Sequence, residues 1–141
     1  MEIIQARTAL PGVEGYLLAA KEHGLKLGVA SSSELPWVEG HLKRLGLLHH
    51  FDAIRTREWV ERTKPDPALF LRAAEALGVE PSGAIAIEDS LNGVRAAKTA
   101  GMFTLAVPNP ITRYLDLSGA DLVVESLSGL PLAELLKQAR G

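Results

Sequence analysis

The ten residues from Ala84 to Gly93, A-I-A-I-E-D-S-L-N-G, constrain the fold of this chain more than any other stretch. Four small or branched apolar residues read as a short buried strand, and two adjacent carboxylates, Glu88 and Asp89, follow at once. Ser90, Asn92 and Gly93 supply turn chemistry before a helical pattern begins. In an open parallel α/β sheet, chemistry gathers where strands end and cross over into helices, and paired acids stand here at such a point. Two neighbouring carboxylates repel each other. A hard divalent cation such as Mg2+ relieves that repulsion while accepting oxygen ligands. The plainer alternative is that Asp89 or Ser90 caps the next helix and Glu88 is solvated. The stretch alone leaves both readings open.

The rest of the chain repeats the strand-then-helix pattern. Leu25–Ala30, Phe51–Ile54, Phe103–Val107 and Leu122–Val124 read as further strands. Between them lie helical stripes: Val13, Leu17, Leu18 and Ala20; Leu35, Val38, Leu42 and Leu45; Leu69, Phe70, Ala73, Ala74 and Leu77; Val94, Ala97 and Ala100; and Leu132, Leu135, Leu136 and Ala139. Gly24, Gly46, Gly78 and Gly101 stop the first four helices. Asp66 and Pro67 suit the cap and first position of the third. Alternation with short connections predicts an α/β fold, a parallel sheet with helices on both faces. Met1–Leu10 says least: Ile3 and Ile4 suit a helix or a strand, and Pro11-Gly12 ends either.

Length and composition narrow the class. A chain of 141 residues, 47% of them hydrophobic, fits one compact domain with a real core. No apolar run is long enough to span a bilayer, and no basic region followed by an apolar stretch opens the chain, so a soluble, cytoplasmic protein is expected. The net charge of −2, with mixed signs throughout, gives no nucleic-acid footprint. Without cysteine there are no disulfides or thiolate metal sites. His23, His41, His49 and His50 follow no metal-binding spacing.

Three loops at predicted strand ends carry polar groups. Ser31-Ser32-Ser33 follows the Leu25–Ala30 strand, where a hydroxyl and the free N–H groups of the next helix could hold a phosphoryl oxygen. An ordinary helix cap would use the same residues. Lys64, in T-K-P-D-P, stands just before a helix N-terminus, where its charge is repelled unless an anion docks between them. A solvated loop lysine is the competing reading. The third loop is Glu88-Asp89. Together a hydroxyl, an ammonium and two carboxylates can converge on one phosphate and one metal ion.

The segments V-A-S-S-S, T-K-P-D-P and I-E-D-S-L-N-G resemble the second, third and fourth motifs of the haloacid dehalogenase superfamily of phosphohydrolases. The likeness is to the branch holding β-phosphoglucomutase and phosphoglycolate phosphatase, and it runs from about Leu10 to the C-terminus. It implies that Ser31 and the Ser32 N–H bind a phosphoryl group and that Lys64 bridges it to the nucleophile. Asp89 would ligate Mg2+, with Glu88 a ligand directly or through water. The implied partner is a small phosphorylated metabolite, with no nucleic acid and no membrane.

One motif is missing. The family attacks phosphate with an aspartate of a D-x-D pair on its first strand, but the aspartates here are Asp52, Asp66, Asp89, Asp116 and Asp121, none separated by one residue. The first strand and cap domain are therefore expected to precede Met1, residues 1–10 to be the tail of the cap, and residues 11–141 to be the core. A piece of a longer enzyme fits better than a natural pseudoenzyme, since Lys64, Glu88 and Asp89 have no evident structural use. Such a chain should be inactive alone, because covalent transfer cannot start without its nucleophile. In the family the first strand lies between those ending at Ala30 and Ile87. Its loss would leave backbone groups bare on two apolar strands. The slot should close by direct pairing, by Met1–Leu10 folding in, or by a second chain, as in a homodimer or strand exchange. The rival functional class is a non-catalytic α/β module that binds phosphometabolites or a protein. A receiver-like domain is disfavoured because no early acidic residues suit its role.

Overall fold

The computed structural model describes residues 2–5, 13–109, 112 and 116–140. Among these residues six strands form one parallel sheet: β1 (Glu2–Gln5), β2 (Leu27–Ala30), β3 (Ala53–Arg55), β4 (Ala84–Glu88), β5 (Phe103–Ala106) and β6 (Leu122–Val123), in the spatial order β3-β2-β1-β4-β5-β6. Among the described residues five α-helices connect or flank them: α1 (Val13–Glu22), α2 (Leu35–Arg44), α3 (Ala68–Leu77), α4 (Leu91–Ala100) and α5 (Leu132–Arg140). This is the α/β architecture expected from the alternating pattern.

Side-chain alternation along β4 sorts the helices into two layers. Ile85 and Ile87 pack with Leu17 of α1, Val38 and Leu42 of α2, and Leu135 and Leu136 of α5. Ala84 and Ala86 point the other way, into a cluster with Leu69, Phe70 and Ala73 of α3 and Ala96 and Ala97 of α4. Small alanines on that face let α3 and α4 approach closely. Glu88 continues the 84-86-88 series, so it emerges on the α3/α4 side.

Two stripes are corrected in detail. Leu18, placed on the inner stripe of α1, is 49% exposed, and Tyr16 takes the buried position instead. One residue is a 100° rotation, and Leu18 lies one step past Leu17. Leu45 is exposed for a similar reason: α2 ends at Arg44, and the chain turns so that Leu47 is buried instead.

The central slot is filled from within the chain. Glu2–Gln5 pairs in parallel with β2 on one side and β4 on the other, Gln5 lying level with Val29 and Ile87. Of the three expected ways to close the slot, folding-in of the N-terminal residues is the one seen. The sheet thus begins at Glu2, within the ten residues set apart from the core on sequence alone. The physical reason is that unpaired N–H and C=O groups on two buried strands are costly, and a short parallel strand satisfies both edges at once.

Candidate active site

The carboxyl ends of β2 and β4 each turn directly into a polar loop. β2 delivers Ser31, whose N–H donates to the Arg55 carbonyl at 3.0 Å and whose Oγ accepts from the Ser33 N–H at 3.1 Å. The loop is held from outside as well: the Arg57 N–H donates to the Ser33 carbonyl at 3.2 Å. Ser31 is half-buried and Ser32 exposed.

β4 delivers Glu88 and Asp89, each only 2% exposed. The Glu88 carboxylate folds back over the start of α4. Its Oε1 accepts from the Asp89 N–H at 3.1 Å, the Ser90 N–H at 3.3 Å and the Ser90 hydroxyl at 3.0 Å. Ser90 Oγ in turn accepts from the Gly93 N–H at 3.0 Å and caps α4. The capping alternative raised from sequence therefore holds for Ser90, while Glu88 is not solvated.

Lys64 joins the two loops. Its Nζ donates to the Ala30 carbonyl at 2.9 Å and to Glu88 Oε2 at 3.0 Å. Ala30 and Glu88 belong to strands on either side of β1, about 10 Å apart by ordinary strand spacing. The ammonium thus sits beyond the end of the central strand, and the Phe70 ring of α3 lies 4.8 Å from it. The Lys64–Pro65 peptide is cis. The sequence argument that a lysine before a helix N-terminus needs an anion is met here by the Glu88 carboxylate. Asp66, expected as the cap of α3, does bind the Ala68 N–H at 3.0 Å, although the helix starts one residue after Pro67.

Asn109 lies in the P-N-P segment after β5, which by its residue types suits a simple turn. Its Nδ2 donates to Asp89 Oδ2 at 2.7 Å, and its backbone and side chain are tied to Thr112 by three further hydrogen bonds. Asn109 therefore orients one of the two acids from a loop 20 residues away. No local pattern signals such a contact.

The two tryptophans and the paired histidines stay outside this cluster. Trp37 is 54% exposed and stacks on His41 at 4.9 Å, while Trp59 is half-exposed beneath the Arg55 guanidinium at 4.0 Å. Trp59 faces a cavity of about 660 Å3 that Arg62, Asp66 and Arg72 also line. His49 and His50 pack ring against ring in a 3-10 turn, and burial together with His49 holds the His50 imidazole below its usual value. Among the described residues no helix is long and apolar enough to cross a membrane.

Comparison with known proteins agrees with this fold. A family model described as haloacid dehalogenase-like hydrolase matches residues 2–107. YhcW of Bacillus subtilis is 50% identical over 133 residues, spanning 94% of this chain and 60% of that protein. The β-phosphoglucomutase of the same organism is 41% identical over 130 residues, spanning 92% of this chain and 54% of its own length. A crystal structure of CbbY from Rhodobacter sphaeroides in complex with phosphate matches with a TM-score of 0.85 at 38% identity, covering 89% of this chain and 58% of that one. The chain thus spans little more than half the length of these relatives. Fold, motif order and these matches agree, and the chain belongs to the haloacid dehalogenase-like hydrolases, in the branch that includes β-phosphoglucomutase.

Proposed function

We propose that this chain is the carboxy-terminal part of a Mg2+-dependent phosphohydrolase or phosphosugar mutase that works through a phospho-aspartate on small phosphorylated metabolites. The observation that carries the reading is the Lys64 ammonium spanning Ala30 O and Glu88 Oε2, with Ser31 and Asp89 each one residue further along. A hydroxyl, a cation and two acids then surround the end of the central strand. Ser31 and the Ser32 N–H hold phosphoryl oxygens, and Lys64 balances their charge. Asp89 ligates the metal. Glu88 reaches it directly or through water.

The donor set fits a hard cation. Among the described residues no cluster of three or more acidic, His or Cys side chains could hold a metal. Mg2+ is ordinarily bound through one or two carboxylates, with water and substrate phosphate completing the octahedron, and Asp89 and Glu88 supply that number. When bound, the metal neutralises phosphoryl charge.

In-line transfer also needs an oxygen nucleophile opposite the leaving oxygen, and the central strand here reads E-I-I-Q, with no aspartate in it. These 141 residues alone are therefore inactive. Purified chain with p-nitrophenyl phosphate and Mg2+ should release nitrophenol no faster than buffer. Turnover at ordinary enzymatic rates, on the order of 1–10 per second, would overturn the inactivity. The site itself is tested by calorimetric titration with orthophosphate in the presence of Mg2+. Binding should be weakened about tenfold or more by Lys64→Met, as expected for loss of a charge-assisted contact. Wild-type and variant chains that behave alike would remove Lys64 from the site.

A further inference from the structure

We propose that Gly93 is a positioning residue of this site: its missing Cβ opens the space into which the Glu88 carboxylate folds, and through Glu88 it fixes Lys64. A Cβ built on Gly93 would stand 1.8 Å from Glu88 Cδ and 2.2 Å from both Cγ and Oε2. No other glycine in the described helices meets a comparable obstacle: Gly15 has nothing within 4 Å, and Gly40 only the tip of Arg44 at 3.9 Å. Nor does the backbone call for glycine, since Gly93 is not among the glycines of positive φ. Inside a helix glycine is disfavoured against alanine, so its presence here needs a reason.

The usual escape from such a clash is a rotation of the flexible side chain. Glu88 cannot take it cheaply. Its carboxylate is buried and accepts three hydrogen bonds at Oε1 and one from Lys64 at Oε2. Swinging it away from a methyl group at position 93 breaks those contacts and leaves the Lys64 ammonium, itself only 10% exposed, with the Ala30 carbonyl alone among its hydrogen bonds described here. Gly93, one turn into α4, therefore sets where the ammonium stands beyond the central strand. The catalytic meaning of this rests on the phosphohydrolase reading above. The geometric coupling does not, and the experiment reads the coupling.

Gly93→Ala, Glu88→Ala and the double variant are compared by thermal unfolding and by amide NMR of the whole chain. Gly93→Ala should lower the Tm of the wild type but leave unchanged or raise that of Glu88→Ala, where the methyl group finds room. In Gly93→Ala the Asp89 and Ser90 amides should shift and exchange about tenfold faster or more, and should do the same in Glu88→Ala, because both variants lose the same acceptor. Wild-type Lys64 should give a slowly exchanging ammonium signal, and that signal should vanish in both single variants. An equal drop in Tm in both backgrounds, or unmoved Asp89 and Ser90 amides in Gly93→Ala, would overturn the proposal. Should Gly93→Ala fail to fold, the double variant decides: folding as well as Glu88→Ala supports the coupling, and failing with Gly93→Ala refutes it.

Discussion

A carboxylate accepts at both of its oxygens, and Glu88 uses both: three donors from Asp89 and Ser90 converge on Oε1 and the Lys64 ammonium on Oε2. Glutamine has the same shape but only one accepting atom, so either orientation of its amide sets NH2 against a donor. Glu88→Gln should thus destabilise the fold by about 1–3 kcal/mol in urea unfolding, despite being isosteric. Lys64→Met leaves a buried carboxylate without its cation and should cost about 3–5 kcal/mol, whereas Lys64→Met combined with Glu88→Leu should recover most of that loss. Additive losses in the double variant would show that the two groups do not act as a pair. These residues thus have a structural use that the sequence did not reveal. Lys64 and Glu88 are 24 positions apart, and nothing in T-K-P-D-P or I-E-D-S names its partner.

Helix starts show the same divide between near and far. Ser90 caps α4 through the N–H of Gly93, three residues on, so its role is legible in the letters alone. For α2 the residue in the capping position, Glu34, makes no side-chain cap. The N–H of Leu35 instead donates to both oxygens of Glu58, at 2.9 and 3.2 Å, from a 3-10 turn (Arg57–Trp59) after β3. That cap comes from 23 residues away, and sequence reasoning passed over Glu58 because capping rules look only within a turn. The Leu35 N–H is the main cause holding the Glu58 carboxyl below its usual value. A depressed carboxyl contributes stability that is complete above its unfolded value, about 4.3, and is lost as the pH falls through the lower folded value. Glu58→Ala should therefore lower the Tm at pH 7, and the difference should shrink as the pH falls below about 4.3. A Tm gap that persists unchanged into acid would mean that Glu58 acts by packing rather than by charge.

At the scale of the molecule, the sheet order follows from which strands are apolar enough to be buried on both faces. β2 and β4 are buried along their whole length, and their runs, L-G-V-A and A-I-A-I, could be recognised without coordinates. β1 could not, because Glu2 and Gln5 leave only two apolar residues between them, too few to set a period. What makes E-I-I-Q a strand is the pair of waiting edges on either side, a tertiary cause that overrides weak local preference. The same strand explains how the candidate site can keep its shape without an aspartate at its centre: β1 holds β2 and β4 two spacings apart, the distance Lys64 must bridge. A backbone substitution tests this cleanly. Ile4 pairs with Gly28 on one side and Ala86 on the other, and proline there removes a ladder N–H in the middle of the sheet. Ile4→Pro should cost about 1–3 kcal/mol in urea unfolding, since it leaves a buried ladder carbonyl without its donor. It should also release the Ala30 and Glu88 ends, so that the Asp89 and Ser90 amides lose protection along with the β1 amides. Unchanged stability would mean that the β2 and β4 edges are satisfied some other way, by direct pairing or by a second chain, and the distance between the two loops would then need a different explanation.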